Sequence, residues 1–144
     1  MRWMMAFVAA AVSLALAGWA PAAEQPPQRQ AWMKMVKEAQ ATHPQLSVAE
    51  AKKLIASEKK LVVVDVREAE ELAKGKVAGS VHIPRGLLEP RIAGKAPDLS
   101  QPILLYCGTG ARGAMAGEQL KKMGYTNVKN VTGGFGAWAK EEKK

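Results

Sequence analysis

The chain has 144 residues, with 21 Lys and Arg against 13 Asp and Glu for a formal charge of +8, and a single cysteine. That length holds one domain, and one cysteine excludes an internal disulfide, so the fold must rest on its apolar core. The basic residues are scattered in doublets such as Lys52-Lys53 and Lys121-Lys122, without a basic run interleaved with aromatics, which argues for a solvated surface and against a nucleic-acid partner.

Residues 1–23 carry one charge at Arg2, an uncharged apolar run from Trp3 to Trp19, and the small residues Ala20, Ala22 and Ala23 around Pro21. This is the form of a secretory signal peptide. The run is at the short edge of what crosses a bilayer core of roughly 30 Å, so removal is expected rather than retention as an anchor. The mature protein is therefore expected to be secreted, periplasmic in a Gram-negative bacterium, with no stable membrane insertion after cleavage.

Residues 24–30, polar and rich in proline, predict an extended linker. Residues 31–41 then place Trp32, Met35, Val36 and Ala39 at helical spacing, a short amphipathic helix that can cap the domain or face a partner. The domain proper is expected over residues 46–144. Ser47 followed by Glu50 is a capping box for a helix over residues 48–57. Residues 61–64 form a β-branched and aliphatic run ending in Asp65, and residues 103–106 repeat the pattern before Cys107, as strands buried on both faces do. Between them lie a short helix over residues 68–74, a short strand over 81–83 stopped by Pro84, and a helical or irregular turn over 86–92. A helix over 112–123 closed by Gly124, a strand over 128–131 and a helix over 135–142 complete the chain. Strands alternating with helices predict a single α/β domain with a mainly parallel central sheet flanked by helices.

The chemistry sits where the second buried strand ends. Cys107 is followed by Gly108, Thr109, Gly110, Ala111, Arg112 and Gly113, a glycine-rich loop running from a strand into a helix. Such a loop turns successive backbone N–H groups inward, and with the helix dipole these favour an anion at the centre. A cysteine at its head, beside a guanidinium, is favoured as thiolate and hence as a nucleophile. Two histidines, His43 and His82, and one cysteine give no metal-ligand spacing, and neither a metal nor another cofactor is expected. Asp65, at the end of a buried strand beside this loop, suits a supporting role, orienting backbone or pairing with a base. Arg67 is expected to pair with Glu68, Glu70 or Glu71, and alternatively to steer anions. Gly133, Gly134 and Trp138 read as a tight helix entry with an aromatic anchor.

Four segments, taken in order, resemble the rhodanese family. They are Asp65-Val66-Arg67-Glu68, Gly79 to Pro84, the loop from Cys107 to Arg112, and Val131 to Trp138. The resemblance covers nearly everything after Leu46. It implies a sulfurtransferase in which the Cys107 thiolate takes the outer sulfur of an anionic donor such as thiosulfate, releases sulfite and holds a persulfide. A thiol, cyanide or a protein acceptor then collects that sulfur. Gly108, Thr109, Gly110, Ala111, Arg112 and Gly113 would bind the donor. Cysteine phosphatases and arsenate reductases of related architecture need five residues between Cys and Arg, whereas here there are four. Gly108, Thr109, Gly113 and Lys76 depart from the residues usual in the family and bear on donor preference. Two rival readings use the same loop: a persulfide carrier or sulfur-binding module working with a partner protein, and a thiol redox sensor with an exposed reactive cysteine.

Overall fold

The computed structural model describes residues 25–144, and the apolar leader expected over 1–23 lies outside them. In chain order the elements are α1 (Pro27–Gln40), β1 (Gln45–Leu46), α2 (Val48–Ser57), β2 (Val62–Asp65) and a 3-10 helix (Ala69–Lys74). These are followed by β3 (Val81–His82), a 3-10 turn (Arg85–Leu87), α3 (Leu88–Arg91), a second 3-10 turn (Ile92–Gly94), β4 (Ile103–Tyr106), α4 (Ala111–Lys122), β5 (Val128–Val131) and α5 (Gly134–Glu141). The five strands make one sheet in the order β1-β5-β4-β2-β3, and every pairing is parallel. The chain is thus a single α/β domain with helices on both faces of a parallel sheet.

Alternation along β4 decides which side chain faces which layer. Ile103, Leu105 and Cys107 point into the cluster that holds Leu88, Ile92, Ala116 and Leu120 from α3, α4 and the turn between them. Leu104 and Tyr106 point the other way, against Val48, Ala51, Phe135 and Trp138 from α2 and α5. Both faces are covered, which is why β2 and β4 read as uninterrupted apolar runs. Because all strands run the same way, the carboxyl ends of β2 and β4 lie side by side, with Asp65 in register with Tyr106 and Cys107 next along the chain. Open parallel sheets place their ligand crevices at this end.

The N-terminal region corrects two expectations. Of residues 24–30, read as linker, 27–30 already belong to α1, which starts at Pro27. Proline is compatible with a helix's first turn because its missing N–H has no acceptor there, and the carbonyl of Pro26 accepts instead from the N–H groups of Arg29 and Gln30. The domain also begins before Leu46: Gln45 pairs with Asn130 as the edge strand β1, and α1 packs along α4. His43 fixes that packing. Its ring is buried against the α-carbon of Gly117, where a Cβ would lie 2.3 Å from Nε2. Burial, then the nearby Lys121, hold the His43 pKa below the ordinary histidine value.

Candidate active site

The loop from Cys107 to Arg112 is held from several sides. The N–H of Gly110 donates to Cys107 Sγ at 3.1 Å. Gly110 takes a left-handed φ of 97° before α4 begins, and a Cβ there would meet Val131 O and Gly133 N at 3.1 Å. From the far side, the N–H groups of Phe135 and Gly136 donate to the carbonyls of Cys107 and Gly108 at 2.7 and 3.0 Å. The entry to α5 thus clamps the loop backbone, and Gly133 and Gly134 form its left-handed turn. Beyond Gly110, the amides of Ala111, Arg112 and Gly113 are the first-turn donors of α4, which have no acceptor within the helix. The sulfur thus receives one loop N–H, that of Gly110, immediately before the uncapped amides of a helix N-terminus, a setting that stabilises negative charge on sulfur.

Asn130 is a loop support that the sequence did not reveal. Fully buried on β5, its Nδ2 donates to Gly110 O at 3.0 Å and to Gln45 Oε1 at 2.8 Å. It also accounts for Gly113, since a Cβ at that position would stand 2.1 Å from Asn130 Oδ1. The departure from the family at Gly113 therefore has a packing cause.

Asp65 and Arg67 form a buried pair beneath the loop. Arg67 Nε and Nη2 donate to the Asp65 carboxylate at 2.7 to 3.1 Å, and its own N–H donates to Asp65 Oδ1 at 3.0 Å. This corrects the expected pairing of Arg67 with Glu68, Glu70 or Glu71. The reason is direction: Asp65 ends β2 with its carboxylate inward, while the following 3-10 helix carries the glutamates away. From Glu71 the guanidinium takes only the backbone carbonyl, at 3.1 Å, together with that of Gly75 at 2.7 Å, while its carbon sits 4.2 Å from the Phe135 ring centre. Tyr106 Oη donates to Asp65 Oδ2 at 2.7 Å and accepts from the N–H of Val77. Burial alone would raise the Asp65 pKa, but the hydrogen bonds from Arg67 and Tyr106 outweigh it and leave the carboxyl below its ordinary value.

Arg112 meets a partner that sequence reasoning missed. Its Nη1 and Nη2 donate to the two carboxylate oxygens of Glu71 at 2.7 and 2.8 Å, a bidentate pair, with Glu68 at 3.9 Å. The hydrogen bonds from Arg112 take the Glu71 pKa down to about 2, so the carboxylate is charged at any working pH. Glu71 and Arg112 lie 41 residues apart, and no local spacing links them. Cys107 itself is fully buried. That disfavours the sensor reading, which needs an exposed thiol.

The Rhodanese-like domain family matches residues 47–141. The chain is 37% identical over 97 residues to YrkF of Bacillus subtilis, provisionally named a sulfur carrier protein; the match covers 66% of this chain and only half of that protein. It is 37% identical over 70 residues to the thiosulfate sulfurtransferase PspE of Escherichia coli, covering 49% of this chain and 67% of that one. Among solved structures, the polysulfide-sulfur transferase homodimer of Wolinella succinogenes superposes with a TM-score of 0.69 at 33% identity, over 81% of this chain and 87% of that chain. A Rhodopseudomonas palustris protein of unknown function, described as a possible tyrosine phosphatase, gives 0.71 at 29% identity, over 87% and 97%. A parallel α/β sheet with a Cys107 to Arg112 loop at its carboxyl edge, matched by this family over most of its length, makes the chain a member of the rhodanese family, in which the Escherichia and Wolinella proteins are named as sulfur transferases.

Proposed function

We propose that the protein is an exported sulfurtransferase that carries sulfane sulfur on Cys107, taking it from thiosulfate or a persulfide and passing it to a thiol or cyanide. The observation that carries this reading is the Gly110 N–H directed at Cys107 Sγ at the start of α4. The Cys107 thiolate attacks the outer sulfur of thiosulfate, the bond between the two donor sulfurs breaks, and its electron pair leaves with sulfite. Cys107 then bears a persulfide anion, whose terminal sulfur the loop amides stabilise as they would an oxyanion. Cyanide or a thiolate attacks that terminal sulfur, and the electron pair returns to Cys107. Gly108, Thr109, Gly110, Ala111 and Gly113 line this seat through their backbone, Arg112 supplies its cation, and Asp65 and Arg67 hold the floor. The apolar leader supports export, to the periplasm in a Gram-negative cell.

The phosphatase reading suggested by the Rhodopseudomonas structure meets the spacing: four residues between Cys107 and Arg112 make a cradle for one sulfur and its partner anion rather than for a phosphate. The carrier reading has the name of the Bacillus relative in its favour. It differs in needing a partner protein for turnover. Steady-state rates with thiosulfate and cyanide varied together separate these cases. A sulfurtransferase gives parallel double-reciprocal lines without added protein, and Cys107→Ser lowers the rate at least about a thousandfold. Converging lines, or a Cys107→Ser variant that retains a tenth of the rate, contradict the covalent cycle; a rate that appears only with a partner protein favours the carrier.

A further inference from the structure

The one cation of the loop is already taken. Both terminal nitrogens of Arg112 are engaged by Glu71, with Glu68 beside them. The pair stands over the loop: a Cβ on Gly108 would lie 3.2 Å from Glu71 Oε1 and 3.3 Å from Arg112 Nη2. Cys107, next to Gly108, has no solvent-exposed surface. The Glu71 carboxylate and the Arg112 guanidinium thus stand beside the residue that follows the sulfur, where the anionic end of a donor would meet them.

We propose that Glu71 is the specificity-determining residue of this site, an internal carboxylate that holds the anion seat on Arg112 and selects donors carrying one negative charge over dianionic ones. The proposal rests on the sulfurtransferase reading and names its donor class: small organic persulfides in preference to thiosulfate.

Charge and geometry supply the argument. With Arg112 paired to Glu71, the mouth carries no uncompensated positive charge from this pair, and Glu68 adds a further negative one. A thiosulfate dianion must displace a bidentate partner and then lie beside that displaced carboxylate, Glu68 and the Cys107 thiolate. A persulfide anion brings one charge fewer into the same crowd, and its organic end can face away. Each like-charge juxtaposition weighs more on the dianion. While it is paired with Arg112, Glu71 stays ionised, because those hydrogen bonds take its pKa down to about 2.

Its position is also fixed from behind. Arg67 Nη1 donates to the backbone carbonyl of Glu71 at 3.1 Å, and Glu71 Oε2 accepts the N–H of Glu68 at 3.1 Å, closing the first turn of the 3-10 helix. Arg67 is thus a positioning residue that aims Glu71 at Arg112. With the preferred donor, the Cys107 thiolate attacks the outer sulfur of the persulfide, the S–S bond breaks, and the electron pair leaves on the donor's remaining thiolate.

Glu71→Gln tests this, because glutamine keeps the shape and the capping acceptor for Glu68 while removing the charge. Initial rates are compared with thiosulfate and with 2-hydroxyethyl persulfide as donors. The ratio of kcat/KM for thiosulfate to that for the persulfide is expected to rise by about tenfold or more in the variant. A ratio that stays within twofold, with both donors affected alike, overturns the proposal and leaves Glu71 a structural residue. Should Glu71→Gln fail to fold, Glu71→Ala, which also removes the carboxylate, supplies the same comparison. Thiosulfate binding to Cys107→Ser, measured by calorimetry, is expected to tighten about tenfold when Glu71→Gln is added; unchanged or weaker binding overturns the proposal whether or not sulfur is transferred. If no variant transfers sulfur from either donor, the sulfurtransferase reading fails, and the binding comparison still decides the role of Glu71.

Discussion

Gly134→Ala is expected to destabilise the protein by roughly 3 kcal/mol or more and to take sulfur transfer with it. The added Cβ would stand 2.2 Å from the carbonyl oxygen of Cys107 and 2.9 Å from the carbonyl carbons of Cys107 and Gly108. These are backbone atoms, so no side-chain rotation relieves the contact. The same Cys107 carbonyl accepts the Phe135 N–H at 2.7 Å, and separating the two segments breaks that bond. Gly134 also sits at φ 55°, in the left-handed region, which adds a smaller penalty of about 1 kcal/mol for alanine. Gly86→Ala is the control, because a Cβ there meets nothing within 4 Å. Urea unfolding of the two variants gives the comparison. A loss under about 1 kcal/mol for Gly134→Ala would mean that the α5 entry does not clamp the loop.

Breaking the buried pair below the loop should weigh at least as heavily. Arg67 and Asp65 have side chains 2% and 1% exposed, and removing one leaves the other charged in the interior. Arg67→Met is expected to cost about 3 to 5 kcal/mol, and the double variant Asp65→Asn with Arg67→Met less than the sum of its parts. The function should suffer too, since Arg67 anchors the carbonyls of Glu71 and Gly75 and so the turn that presents Glu71. Acid behaviour follows from the same contacts. The Asp65 pKa is lowered in the folded state, so the unfolded chain takes up the proton first as the pH falls. Stability from this pair is complete above the ordinary value of 3.8 and is lost as the pH drops through it toward the lower folded value. Unfolding free energies from pH 6 down to pH 3 should fall less steeply at the low end in Asp65→Asn. Parallel curves would show that Asp65 does not titrate differently in the two states.

What could be read from the chain follows where local pattern and tertiary environment agree. Strands β2 and β4 announced themselves because burial on both faces demands runs such as Val62–Asp65 and Ile103–Tyr106. The helix α2 was marked by its capping box, and Ser47 Oγ does accept the Glu50 N–H at 3.3 Å while Glu50 accepts that of Ser47 at 2.8 Å. Strand β1 is two residues long and has no periodicity to detect; its pairing with β5 exists only once the sheet is assembled. The start of α1 was hidden because Pro26 and Pro27 read as linker, although a helix accepts proline in its first turn. For the site, Cys107 and its loop stood out since strand, glycines and helix are contiguous. The partners of the two arginines did not. Arg67 turns back to Asp65 rather than forward to the glutamates that follow it, while Glu71 reaches a residue far along the chain, and Asn130 arrives from β5.

Intact mass of the protein after mixing with a sulfur donor, beside a Cys107→Ala control, tests the central claim most directly. Wild type should gain about 32 Da, one sulfur atom, from an organic persulfide or thiosulfate, lose it on addition of cyanide or a thiol, and the control should gain nothing. A wild type that gains no sulfur from either donor, or a control that gains as much, would contradict the assignment of Cys107 as the sulfur carrier.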